Sequence, residues 1–296
     1  MPFVPVLHSV SYAGVWPGQA RLGLDDFLDK AASLGYAGVM LMAKRPHLSV
    51  LDYGEAECAR LRERMEQQGL RCYAIAGYNN FSADLEHGDV PHREIQTHYV
   101  AALARLARDL GAPVVRIFTA YEHPAATYAG LWQSTVETLR ECARRAAGFG
   151  VTLGVQNHHD LAADYQSQLD LICAVNESNC KAIFDAWSPA LHGTDLAAAA
   201  RRMAPHTCHT TAADYQLRPR FRYLPGVVNY EAQKPWVQAV PMGEGFIDYR
   251  GFLAALREGG YQGPVAYEMC SPLLGGGSVE NLDRYARRFV EFLSGV

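Results

Sequence analysis

The sequence predicts an α/β protein folded as one (β/α)8 barrel, with residues 1–296 forming a single domain and a long ordered loop after the seventh strand. Two observations carry that reading. Short β-like runs alternate with helical stretches from one end to the other, the signature of βαβ units and a parallel sheet. There are eight such units, which suits a closed barrel better than an open dinucleotide-binding sheet, and no GxGxxG follows the first run.

The β-like runs are Val6 to Tyr12, Ala37 to Met42, Arg71 to Ala76, Pro113 to Thr119, Val151 to Gln156, Lys181 to Asp185, Thr207 to Thr211 and Pro264 to Met269. Between them lie stretches such as LDDFLDKAASLG, YGEAECARLRERMEQQG and HREIQTHYVAALARLARDLG, with apolar residues three and four apart as a half-buried helix requires. Gly35, Gly69, Gly111 and Gly150 stand where those helices must stop, because glycine enters the left-handed conformation without a Cβ penalty. One connection breaks the rhythm. Residues 212–247 show no helical period, and ADYQLRPRFRYLPGVVNY is rich in aromatics and arginine, so an ordered lid is expected there rather than a linker.

Composition narrows the function classes. A net charge of -4 gives no support to nucleic-acid binding. The N-terminal residues lack the pattern of a secretory signal, and no apolar run is long enough to span a membrane, so a cytoplasmic protein is expected. The seven cysteines are scattered without CxxC spacing and read as packing residues. The expected partners are a small sugar-like molecule and, as an open alternative to a monomer, further copies of the chain in a homo-oligomer.

In a parallel barrel all strand C-termini open on one face, where active sites of the fold lie. The predicted strands end in His8 and Ser9, in Lys44, Arg45 and His47, in Tyr78 and Asn79, in Arg116, in Gln156 to Asp160, in Asp185, in His209 and in Glu268. Gln156, Asp185, His209 and Glu268 sit on four consecutive strands about 4.8 Å apart and could converge on one divalent cation, the mixed O/N set suiting Mn²⁺, Mg²⁺, Co²⁺ or Zn²⁺. Lys44, His47, Arg116, Arg218 and Arg220 are candidates for substrate hydroxyls or an anionic group. Arg116 is singled out because a charge ending an apolar strand needs a buried partner. Trp187 could stack on a sugar ring and His192 could donate from behind Asp185.

The chain resembles the xylose-isomerase-like TIM barrels, a superfamily of sugar epimerases, dehydratases and apurinic endonucleases. The resemblance rests on LGYAGVML, LGAPVVRIF, GVTLGVQNHHD, IFDAWSPALHG, the His209 to Asp214 segment and MGEGFIDYRGFLAALREGGYQGPVAYEM. It implies a metal, Mn²⁺ favoured, held by Glu, Asp, His and Glu, of which Asp185, His209 and Glu268 match. Gln156 departs from it: an amide cannot be a general base, so His158, on the same side of the strand, is the expected substitute beside Glu268. The implied activity is isomerisation or epimerisation of a sugar or keto-polyol by proton abstraction next to a carbonyl. A lyase acting on a keto-sugar or 3-keto-glycoside with one base is the alternative, while an endonuclease or a non-catalytic sugar-binding barrel ranks lower.

Overall fold

The computed structural model describes residues 3–296. Eight parallel strands close into a barrel, each lying beside the barrel strands that precede and follow it in the chain and the last closing on the first. They are β1 (Val4–His8), β2 (Gly38–Met42), β3 (Arg71–Ala76), β4 (Val114–Ile117), β5 (Thr152–Gln156), β6 (Cys180–Ile183), β7 (Thr207–Ala212) and β10 (Pro264–Tyr267). Each stops within a few residues of its predicted end, except the first. The predicted run Val6 to Tyr12 divides, because after His8 the chain turns into a 3-10 segment, Ser9–Tyr12, whose Val10 amide donates to His8 Nδ1 at 3.1 Å.

The helices α1 (Leu24–Ser33), α2 (Glu55–Gln67), α3 (His92–Leu110), α4 (Tyr128–Ala147), α5 (Tyr165–Val175), α6 (Trp187–Leu191), α7 (Leu196–Met203), α8 (Tyr249–Glu258) and α9 (Val279–Ser294) follow the strands. Their apolar stripes bury Phe27, Leu28, Leu103, Leu139, Leu171, Phe252 and Phe289 against the outer barrel wall, the arrangement a half-apolar helix needs. Gly35, Gly69, Gly111 and Gly150 take φ of 80°, 70°, 71° and 73°.

Alternation sorts each strand into an outward set and an inward set. Val6, Met40, Ala74, Ala76, Val114, Ile183 and Ala266 fill the barrel's lower interior. Gly154 belongs there too: a Cβ on it would stand 2.7 Å from Ile183 Cγ1. One inward position further on, the same alternation brings up His8, Met42, Tyr78, Arg116, Gln156, Asp185, Thr211 and Glu268, and these make the mouth.

The segment after β7 is ordered, but as an antiparallel ribbon rather than a loop. β8 (Asp214–Leu224) pairs with β9 (Asn229–Val240) and with no barrel strand. Cross-strand pairs Leu217–Val237, Phe221–Ala232 and Tyr223–Tyr230 share one face, while Arg218–Trp236, Arg220–Gln233 and Arg222–Glu231 share the other. No helix among the described residues is long and apolar enough to cross a membrane.

Candidate active site

The floor of the mouth is a hydrogen-bonded knot. Gln156 Nε2 donates to Asp185 Oδ2 at 3.0 Å, to Thr211 Oγ1 at 3.2 Å and to Glu268 Oε2 at 3.4 Å. Thr211 Oγ1 donates to the same Asp185 oxygen at 3.2 Å. The amide orientation follows from its surroundings, since its oxygen turned the same way would face two carboxylates.

Local structure fixes each member. Asn157 clamps the end of the sixth strand, accepting from the Asp185 amide at 2.8 Å and donating to its carbonyl at 3.0 Å. Asp185 Oδ1 takes the first amide of α6, from Trp187, at 3.2 Å. Tyr249 OH closes on both backbone groups of Ala213, just beyond Thr211, at 2.9 and 3.2 Å. Burial raises the Asp185 carboxyl to about 7; its bond from Gln156 opposes this and the neighbouring Glu268 adds to it. Glu268 keeps 15% of its side chain exposed and stands 3.7 Å from His8 Nε2.

Three of the four residues expected to converge do so, and His209 does not. It points inward one step below Thr211, at the depth of Ile183, its register partner in β6. Its Nδ1 lies 3.2 Å from the Pro264 carbonyl. Two residues along a strand are about 6.6 Å, so His209 and Thr211 cannot share a level. Thr211 is the residue the sequence reading missed. It is the last residue of the predicted seventh run, and strand alternation gives it the same inward face as His209.

This donor set departs from the one expected for a transition metal. An imidazole is replaced by a hydroxyl, and an amide nitrogen occupies the space between the two carboxylates. Among the described residues no group of three His, Cys, Asp or Glu gathers closely enough to hold a metal ion.

Above the knot opens a cleft of about 550 Å³ lined by His158, His159, Trp187, His192, Tyr215 and Cys270 among others. The rings of Trp187 and Tyr215 lie 3.9 Å apart and form one wall. His158 packs between Phe118, at 4.1 Å, and His159, at 3.6 Å. Burial, then the His159 and Arg116 charges, lowers its pKa to about 3.

The remaining candidates scatter. His47 is buried, with Nε2 3.1 Å from the Leu22 carbonyl and its ring stacked on Phe27, and it takes no part in the cleft. Lys44 lines a separate groove with Arg21 and Arg45. Arg218 and Arg220 lie on the exposed polar face of the ribbon, outside the cleft lining. Arg116 is fully buried on β4.

Comparison with known proteins places these features in a family setting. The family described as xylose isomerase-like TIM barrel matches residues 28–293. The rhizopine catabolism protein MocC of Rhizobium meliloti is 25% identical over 259 residues, spanning 83% of this chain and 74% of that protein. Among solved structures, a D-psicose 3-epimerase with D-tagatose from Clostridium cellulolyticum superposes with a TM-score of 0.75 at 17% identity, over 100% of this chain and 99% of that one. The probable 3-DHS dehydratase involved in petrobactin synthesis from Bacillus anthracis gives 0.73 at 17%, over 98% of each. At these identities the two structures speak for the fold alone.

Proposed function

The chain belongs to the xylose isomerase-like TIM barrel family, and from that premise we propose that it is an enzyme acting on a sugar-like keto-polyol, moving the proton next to its carbonyl. The observation that carries the reading is the floor of the cleft, where one partly exposed carboxylate, Glu268, stands beside a neutral amide. Glu268 would take the C–H proton while the electron pair forms an enediolate. It would then return the proton to the former carbonyl carbon, while the hydroxyl proton of the first carbon passes to the neighbouring oxygen and leaves a carbonyl behind, or deliver it to a departing β-substituent. The first outcome is isomerisation and the second is elimination.

Two-face epimerisation is the less favoured outcome, because Gln156 stands where a second carboxylate would be needed and an amide takes no proton. His158 also fits the base role poorly: an imidazole held near 3 is neutral at working pH but weakly basic. In this reading it offers an N–H towards the developing oxyanion instead. Trp187 and Tyr215 give the apolar wall on which the C–H face of a ring can rest. No step is routed through a metal, since the donors present do not match the expected set.

The test is proton exchange in D2O. A panel of ketoses and 3-keto-glycosides, followed by proton NMR, is expected to lose signal at the carbon next to the carbonyl, and Glu268→Gln is expected to slow that loss by about 10³-fold. If the unaltered protein exchanges no such proton in any member of the panel, the reading falls.

A further inference from the structure

Arg116 is the strangest charge in the molecule. It is 0% exposed, and its Nε, Nη1 and Nη2 have no hydrogen-bond partner. A guanidinium stays charged throughout the working pH range, so desolvation cannot be relieved by losing a proton. A buried ion of this kind is costly unless something of opposite charge meets it.

The barrel supplies no such partner among the described residues. Two aromatic rings pack against the guanidinium, Phe118 at 4.2 Å and Tyr78 at 4.9 Å, and they stand edge-to-face against each other. These contacts soften the cost but leave the edge, with its N–H groups, free. The second charge at hand has the same sign: Lys44 Nζ lies 4.1 Å from the centre of the same Tyr78 ring. The imidazoles around the mouth, His8 and His158, are both held towards the neutral form, Arg116 contributing in each case after burial. The carboxylates of the mouth are engaged elsewhere, Asp185 and Glu268 with Gln156.

The mouth is therefore bipolar, with acid, Asp185 and Glu268, on the β6 and β10 side and one unneutralised buried cation, Arg116, on the β4 side, Lys44 standing across the Tyr78 ring. We propose that this cationic side is a subsite for a carboxylate, so that the substrate is an acidic sugar derivative, a keto-acid or hydroxy-acid polyol, rather than a neutral sugar. The guanidinium fork matches the two oxygens of a carboxylate, and the Phe118 and Tyr78 rings packed against it favour that flat group over the bulkier phosphate. The proposal rests on the proton-moving reading only for where the rest of the substrate lies.

The experiment is thermal shift at constant ionic strength, with small probes that need no knowledge of the substrate: glycolate and glycerate against glycerol, with inorganic phosphate as the third arm. The two carboxylates are expected to raise the melting temperature of the unaltered protein and of Glu268→Gln, which keeps the subsite. In Arg116→Met the shift should vanish, with carboxylate affinity down at least tenfold, while the ligand-free variant melts no lower. Retention of the shift in Arg116→Met, an equal shift from glycerol, a shift from phosphate alone, or no carboxylate-dependent shift overturns the proposal. These outcomes are separate from the exchange assay. A protein that binds carboxylates through Arg116 but moves no proton keeps the subsite and loses the reaction; one that isomerises neutral ketoses undiminished as Arg116→Met keeps the reaction and loses the subsite.

Discussion

At Gln156 a single amide nitrogen sits between two carboxylates, donating to both. It holds Asp185 and Glu268 together with no net charge of its own, where a glutamate would set a third anion into a buried cluster. Replacing Gln156 by Glu alone is therefore expected to lower stability by about 2–4 kcal/mol, because two donated hydrogen bonds become like-charge contacts in a poorly solvated site. The double variant Gln156→Glu with Thr211→His supplies a carboxylate and an imidazole at the level of Asp185 and Glu268. It is expected to bind one Mn²⁺ per chain, read by electron paramagnetic resonance, and to recover its lost melting temperature when the ion is added. The unaltered protein is expected to take up none stoichiometrically. Tight stoichiometric binding by the unaltered chain would show that the amide does not hold the cation's place between the two carboxylates.

Among the elements, the β8–β9 ribbon stands apart from the barrel logic. Its two strands bond to each other, and its apolar face is left open, with Leu217 44%, Phe221 65%, Tyr223 49% and Tyr230 67% exposed. The period-two pattern was present in the sequence, with Leu217, Phe221 and Tyr223 alternating with Arg218, Arg220 and Arg222. Pro219 and Pro235 masked it, since proline removes a ladder donor and argues against a strand. The ribbon tolerates both because each strand is an edge. As the barrel's closure does not involve it, replacing residues 218–236 by a short Asn-Gly turn is expected to leave the far-ultraviolet spectrum barrel-like and to move the melting temperature by only a few degrees. A collapse of cooperative melting in that variant would show that the ribbon props up the barrel after all.

Across the whole molecule, strand order, helix ends and the face carrying the site were legible because they follow from local periods and glycine positions. Depth within the barrel was not: whether His209 or Thr211 reaches the mouth depends on barrel register, set by neighbouring strands far away in sequence. That same burial of polar residues inside the barrel governs how the protein responds to acid. His209, pushed down to about 4 by burial, His158, pushed to about 3, also chiefly by burial, and His8, lowered well below 6.5, all stay neutral in the folded chain where the unfolded chain binds protons. Between pH 6.5 and about 4 the unfolded state therefore binds more protons, and stability falls as pH falls. For the fully buried His209 the drop from 6.5 to about 4 corresponds to about 3 kcal/mol at most. Asp185 titrates with the opposite sign, since its raised pKa lets the folded state hold a proton that the unfolded state releases between about 7 and 3.8, and it offsets part of the loss. Urea midpoints measured from pH 7 to pH 4.5 are thus expected to decline. The decline should be shallower in His209→Asn and steeper in Asp185→Asn, compared as slopes against pH so that the packing cost of each substitution cancels. Equal slopes in all three proteins would mean that these groups are solvated rather than sealed in the barrel.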